Sequence, residues 1–202
     1  MSELNTSTNN LFPIFLKLEH LHVLIVGGGA IGLEKITAVL NNSPATKVTL
    51  VAITVLPEIT ELKKQFPQLT IQEKEFEVSD LFGKDIVIAA TGDRTVSERI
   101  RIEATKQKTL INVADTPDLC DFYLGAIVQK GDLKIAISTN GKSPTLAKRL
   151  KEIFNEELQA ATIQELLENL NKFRNQLKGD FANKVKELNE ATKSLLNKKE
   201  NE

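Results

Sequence analysis

Leu21-His22-Val23-Leu24-Ile25-Val26 runs without a break into Gly27-Gly28-Gly29-Ala30-Ile31-Gly32, and this junction decides the fold. The first six residues form a short apolar run of strand length, ended by three glycines that permit a tight turn. Beyond the turn, Gly32, Ile36, Val39 and Leu40 recur at helical spacing, and the pattern ends near Asn41-Asn42, with Ser43-Pro44 following. Strand, glycine turn and helix in that order predict the opening of a dinucleotide-binding unit. In the spacing Gly27-x-Gly29-x-x-Gly32 the first glycine permits the bend. The second lets the backbone approach a pyrophosphate, and the third lets the helix pack closely on the strand. The helix N-terminus then offers N–H groups to phosphate oxygens. Such a spacing is weak by itself, and the strand before it and the amphipathic helix after it make it specific.

Working outward, strand signals at 48–52, 69–73, 85–90 and 109–113 alternate with helix signals at 57–65 and about 95–106. Such alternation implies right-handed crossovers and a parallel sheet, with ligands at the carboxyl ends of the strands. From Asp115 the pattern changes. Residues 123–128 and 133–138 read as strands joined by Lys130-Gly131-Asp132, a hairpin turn, and Ser143-Pro144 caps a helix reaching about Leu158. Leu166, Leu170, Phe173 and Leu177 make one apolar stripe. Gly179-Asp180 reads as a stop and a new cap, and Val185, Leu188 and Leu195 make a second stripe. The expected fold class is α/β: a Rossmann-type parallel-sheet domain over 1–113, a small α+β unit over 114–142 and a C-terminal helical domain over 143–202. The polar start and the final NKKENE are expected to be disordered or frayed.

The bulk numbers narrow the function. A chain of 202 residues can bury a real core without disulfides, and its only cysteine, Cys120, has no partner within the chain. That fits a reducing compartment, and a cytoplasmic location is expected. The first ten residues lack the basic start and apolar run of a secretory signal, and no stretch approaches the roughly 20 apolar residues of a membrane span. With 26 basic against 27 acidic residues, the chain lacks the basic excess of a nucleic-acid binder, so neither membrane nor nucleic acid is an expected partner.

Several residues carry candidate chemistry. An acidic residue is expected at the end of the second strand to hold the ribose hydroxyls of NAD, yet the segment reads Val51-Ala52-Ile53-Thr54, and no arginine stands there for a 2′-phosphate. Asp115, in Asn112-Val113-Ala114-Asp115, follows a strand end, where its carboxylate suits a general base and equally suits a turn cap before Thr116-Pro117. Ser138-Thr139-Asn140-Gly141-Lys142-Ser143-Pro144 gathers hydroxyls, a glycine and a cation at a helix N-terminus, where it either grips an anionic substrate or is an ordinary capped loop. Lys148 and Arg149 are equally open. His20 and His22 flank the first strand, far in sequence from any acidic or cysteine cluster, so no metal cage is expected, and Cys120 is assigned a small apolar role.

Together these residues resemble the precorrin-2 dehydrogenase family, the NAD-dependent part of siroheme synthases. The resemblance runs from about Leu11 to Leu158. It is carried by LFPIFL from Leu11, then VLIVGGGAIGLEK, VTLVAIT, IVIAATGD, INVADTPDLCDF and IAISTNGKSPTLAKRL, in the family's order. It implies that precorrin-2, a reduced tetrapyrrole, loses a hydride to NAD and yields sirohydrochlorin. It also implies that Asp115 matches the family's functionally important aspartate, and that Ala30, Ile31, Ile53 and Thr54 match positions lining the dinucleotide. The candidate cofactor set is thus Gly27, Gly29, Ala30, Ile31, Gly32, Ile53, Thr54 and Thr91. The candidate substrate set is Asn112, Ser138, Thr139, Lys142 and Ser143, with Lys148 and Arg149 at its edge; Asp115 is the catalytic candidate and no metal ligand is expected.

The resemblance further implies a homodimer built by the unit 114–142. Some family members also insert iron into sirohydrochlorin, and Asp115 is compatible with both activities. The chain departs from the family's usual acidic residue at Gly92, its frequent asparagine at Ser97 and its arginine at Glu34. The alternative from a different class is an NAD(P)-sensing dimeric regulatory module. Such a sensor has no need of Asp115 together with the Ser138–Pro144 loop.

Overall fold

The computed structural model describes residues 9–177 and 181–193. The expectations placed on the first eight residues, on Gly179-Asp180, on Leu195 and on the last residues lie outside them. The chain forms two compact units, Met1–Leu124 and Gly125–Glu202.

The first unit is a five-stranded parallel sheet. Its strands are β1 (His22–Gly28), β2 (Lys47–Val55), β3 (Leu69–Glu73), β4 (Ile86–Ala89) and β5 (Leu110–Val113), in the order β3-β2-β1-β4-β5. Three helices connect them: α1 (Ala30–Asn42), α2 (Pro57–Gln65) and α3 (Arg94–Gln107). The strand order reverses beside β1, so the crevice at the carboxyl end of β1 is the topological switch point at which open α/β sheets bind ligands.

The unbroken apolar runs follow from burial on both faces. Val23 and Ile25 of β1 pack with Ile36, Leu40, Val48, Leu50 and Ile88 on one face, whereas Leu24 and Val26 pack with Val51, Val87, Ala89, Ile100 and Ile111 on the other. Helix α1 buries Gly32, Ile36, Val39 and Leu40, the four positions expected from the spacing. Burying each large aliphatic side chain contributes about 1.5–3 kcal/mol, so these two layers dominate the unit's stability.

Element boundaries moved where pairing, not pattern, sets them. β2 continues past Ala52, its last partner on β3 being Glu73, because Gly28 pairs with Val55 beyond a register shift in β1. Ile53 and Thr54 therefore lie within a strand that overhangs the sheet, and Ile53 is exposed. Helix α3 starts at Arg94, since the Asp93 carboxylate accepts the Thr95 and Val96 N–H groups at 2.8 and 3.2 Å. Residues 114–124 belong with the first unit because 120–122 double back along β5.

In the second unit, β6 (Ala126–Lys130) and β7 (Leu133–Ile137) form an antiparallel hairpin, followed by α4 (Pro144–Glu157), α5 (Ala160–Gln176) and α6 (Phe181–Thr192). The ladder begins at the Ala126–Ile137 pair, later than the expected start at 123. Gly131 opens the two-residue turn at φ +59, as glycine-first hairpin turns require. The turn is tied to α5, since Gln164 Oε1 accepts the Asp132 N–H at 3.0 Å and Gln164 Nε2 donates to Asp132 Oδ2 at 3.2 Å. Ser143 Oγ caps α4 by accepting the Leu146 N–H at 3.1 Å, with Pro144 in the first turn. Leu177 caps α5 instead of extending its stripe.

Candidate active site

The glycine turn is shaped by what glycine lacks. Gly27 adopts φ +116, and a Cβ there would strike the Ala90 carbonyl; a Cβ on Gly32 would strike the Gly27 carbonyl. Gly28, which the Gly27-x-Gly29 spacing leaves unspecified, is equally constrained: a Cβ would collide with the Thr54 carbonyl and reach Val55 Cα at 3.0 Å, while Gly28 O accepts the Leu56 N–H at 2.9 Å. Gly29 differs from all three. A Cβ built there meets nothing within 4 Å, and Gly29 is the N-cap of α1 with no side-chain hydrogen bond. The first-turn N–H groups of Ala30, Ile31 and Gly32 have no intrahelical acceptors, so an open, electropositive cradle faces the crevice. These features fit a dinucleotide pyrophosphate.

Thr91 follows β4 on the other side of the switch point. Its hydroxyl donates to the Asp93 carbonyl or shares a 2.9 Å bond with the Ser97 hydroxyl, and it accepts the Asp93 N–H at 3.1 Å. Ser97 is buried, a role for which its spacing gave no signal. Gly92, between them, adopts φ +69. Glu34 pairs with its neighbour Lys35 at 2.7 Å.

Asp115 sits in a turn after β5, closed by Thr116 N–H donating to Val113 O at 3.3 Å. It is exposed and has φ +57, a left-handed conformation that aspartate tolerates better than most residues. The sheet is parallel throughout, so Asp115 shares its carboxyl-terminal edge with the glycine cradle. β4 lies between β1 and β5, which sets them about 10 Å apart at the usual strand spacing.

Asn112 is buried, and its amide nitrogen donates to Phe122 O at 2.8 Å and approaches Cys120 Sγ at 3.5 Å. Its NH₂ group is thus committed to the loop rather than to the crevice. Cys120 Sγ accepts the Val113 N–H at 3.1 Å, and burial pushes its thiol up. Sequence reasoning missed this role, because only the doubling back of 120–122 brings Cys120 to the turn. Nearby, the Arg94 guanidinium lies 2.8 Å from Asp118 and holds that exposed carboxyl below its usual range.

The remaining candidates lie on the second unit. Thr139 Oγ1 donates to Ser143 O at 3.1 Å and accepts the Ser143 N–H at 3.2 Å; Ser138 Oγ accepts the Asn140 N–H at 3.2 Å, with Asn140 at φ +55. Those hydroxyls build the loop itself. Arg149 is paired with Glu152 at 2.8 Å on the surface of α4.

Fold and cradle define a Rossmann-type dinucleotide-binding protein, and residues 14–126 match the family profile described as "Putative NAD(P)-binding". Residues 130–156 match the profile "Sirohaem biosynthesis protein central". The solved structure of "SirC, precorrin-2 dehydrogenase" superposes with a TM-score of 0.72 at 30% identity, covering 89% of this chain and 88% of that one. The siroheme synthase of Methylococcus capsulatus is 40% identical over 139 residues, 69% of this chain and 29% of that protein. That of Nitrosomonas eutropha is 33% identical over 171 residues, 85% of this chain and 35% of that protein. The chain belongs to the family of precorrin-2 dehydrogenases and the N-terminal region of siroheme synthases. It spans about a third of the length of these siroheme synthases.

Proposed function

We propose that this protein is a precorrin-2 dehydrogenase that oxidises precorrin-2 to sirohydrochlorin with NAD as acceptor. The observation that carries the reading is the cradle without side chains at Gly29 on the same sheet edge as a carboxylate held in left-handed backbone, in a chain similar over most of its length to SirC. With the pyrophosphate on the N-terminus of α1, Ile53 and Thr54 at the overhang of β2 take the adenosine end. Ile53, Thr54 and Val55 of the overhang carry no charge of their own, and packing plus backbone carry the contact. The other end of the dinucleotide then points past Thr91 toward β5 and Asp115.

Substrate oxidation removes two hydrogens, one as hydride and one as a proton. Bound NAD supplies the hydride acceptor. Asp115 takes the proton or holds the macrocycle by its N–H groups, and a positioned carboxylate in this role contributes about 10²–10⁴-fold. Asn112 acts indirectly by fixing the loop that carries Asp115. On the second unit, the hydroxyl protons of Ser138 and Ser143, whose oxygens already accept backbone N–H groups, are the groups we assign to substrate carboxylates, with Thr139 shaping their loop and Lys142 adding positive charge within it.

We also propose a cytoplasmic homodimer. Among the described residues, the second unit buries only two hydrophobic side chains, Val128 and Ala147, while Leu146 and Ile153 of α4 and Val185 of α6 stay exposed. A unit with so small a core is stabilised by covering such faces with a second copy.

The test is the absorbance of precorrin-2 incubated with the protein and NAD or NADP, followed by ferrous iron. Sirohydrochlorin formed in step with NAD reduction is the expected result, and a further metal-dependent shift assigns iron insertion as well. Dinucleotide binding with no change in precorrin-2 overturns this reading in favour of the sensor or of a dehydrogenase acting on another substrate.

A further inference from the structure

Left-handed backbone at a residue other than glycine persists where surrounding contacts enforce it. The turn that carries Asp115 is closed by a single backbone bond of 3.3 Å, so the enforcement comes from elsewhere. β5 is the last strand of its sheet. Leu110 and Ala114 donate to Asp85 and Ala89 on the β4 side, which turns the backbone groups of Ile111 and Val113 outward, toward an edge with no further strand.

The returning segment takes the place of that strand. Asp121 satisfies both backbone groups of Ile111: its N–H donates to Ile111 O at 2.8 Å, and its Oδ2 accepts the Ile111 N–H at 3.1 Å. The other carboxylate oxygen lies 2.6 Å from Arg101 Nη1 of α3, with the two side chains only 29% and 30% exposed. Cys120 serves Val113 in the same way. Its sulfur accepts the Val113 N–H at 3.1 Å and lies 3.2 Å from Val113 O and 3.4 Å from Thr116 O, one of which takes its single proton. The first and last residues of the Asp115 turn thus meet at one thiol. Asn112 closes the clamp by donating to Phe122 O.

We propose that Cys120 and Asp121, backed by Arg101 and Asn112, are positioning residues that hold the 113–116 turn in the geometry that presents the Asp115 carboxylate. This rests on the reading of Asp115 as the reacting carboxylate. The clamp acts on catalysis through the turn and touches neither dinucleotide nor substrate. Serine in place of Cys120 keeps an acceptor for Val113 N–H and a proton for a carbonyl, whereas alanine keeps neither.

The test compares full-length Cys120→Ala, Cys120→Ser, Asp121→Ala and Asp121→Asn with the parent, in precorrin-2 turnover, NAD titration and amide hydrogen exchange. Cys120→Ala and Asp121→Ala are expected to lower kcat about tenfold while KM and the NAD Kd stay within about twofold, and Cys120→Ser to recover to within about threefold of the parent. Asp121→Asn, which retains an acceptor for Ile111 but loses the charge facing Arg101, falls between. The Val113 and Thr116 amides exchange faster in the alanine variants, while those of Leu24 and Ile25 in β1 do not change.

Unchanged kcat in both alanine variants, or a serine variant no better than alanine, overturns the clamp. So does a loss spread evenly over kcat, KM and Kd, which would report general damage; if the alanine variants do not fold, the serine and asparagine variants decide by the same criteria. Asp115→Asn separates this proposal from its foundation. Full turnover in that variant overturns the parent reading and the positioning role with it, whereas lost turnover there beside unchanged kcat in the clamp variants overturns the clamp alone.

Discussion

The two units of this chain spend their apolar residues differently. The first stacks Val23, Leu24, Ile25 and Val26 of one strand into two separate layers, so that a single short run closes both faces of the sheet. The second has more helix and almost no interior: Val128 and Ala147 are buried, and α5 and α6 bury no residue among those described. A parallel sheet completes itself, because crossover helices cover both faces. A hairpin followed by amphipathic helices has to borrow cover. The first unit is therefore expected to fold on local and sheet contacts alone, and the second to depend on what it docks against.

The sharpest way to break this comparison is at the glycine turn. Gly27→Ala combines a left-handed φ with a collision against the Ala90 carbonyl, and the two costs add to about 2–5 kcal/mol. Thermal unfolding of the purified variant checks this; a melting temperature near the parent's would show that β4 yields easily and that the first unit is softer than its packing suggests. Gly29→Ala is the matched control. With open space above it and φ −84, the added methyl is expected to leave the melting temperature unchanged while weakening NAD binding about tenfold, since it fills the cradle. Glycines two residues apart would then be divided cleanly between folding and binding.

Asp115 extends that division to turnover. Asp115→Asn is expected to lower kcat about 100-fold or more with stability and NAD affinity retained, because asparagine also tolerates left-handed backbone. Asp115→Gly loses the same carboxylate and relieves the backbone, so its melting temperature should equal or exceed the parent's. If both variants turn over normally, the aspartate serves the turn and nothing else.

How far the sequence carries this picture differs between the units. The strand and helix order of the first unit was legible because burial on two faces leaves long apolar runs, and helix spacing picked out the four residues α1 buries. What pairing determines was not legible: the overhang of β2 depends on Gly28 meeting Val55, and the first unit extends to Leu124 because Asp121 and Cys120 bond to β5. The site divides in the same way. Gly27, Gly29 and Gly32 stand in a recognisable spacing, and the necessity of Gly28 appears only once the Thr54 carbonyl is seen beside it. Asn112 reads as a polar group at a strand end, yet its amide nitrogen is turned into the loop. Long-range hydrogen bonds leave no periodic mark.

The borrowed cover of the second unit is tested by concentration. A homodimer predicts a solution mass near twice 22.4 kDa by light scattering and a melting temperature that rises with protein concentration. Replacing Ile153, exposed on α4, by glutamate is expected to weaken the dimer and reduce that dependence. A monomer with a concentration-independent melting temperature would mean that the second unit stands on fewer buried side chains than its length suggests.

The smallest effect lies at the opposite end of β1 from the cradle, and it separates stability from function. His22 is partly buried, and its Nε2 shares a 2.8 Å bond with Thr49 Oγ1. Burial first, then Lys84 and Lys47, hold its imidazole below the ordinary value of 6.5, against the pull of Asp85. The neutral ring is thus favoured by folding. Its contribution is present above the unfolded value and is lost as the pH falls from about 6.5 through the depressed folded value, where the unfolded chain binds the extra proton first. Melting temperatures measured across about pH 5 to 7 should therefore fall more steeply toward acid in the parent than in His22→Gln, which cannot titrate. Equal slopes would mean that the partly exposed ring takes up its proton without strain. Because His22 sits at the amino end of the sheet, the ratio of parent to variant turnover should stay constant over the same range, and a changing ratio would show that the two ends of β1 communicate.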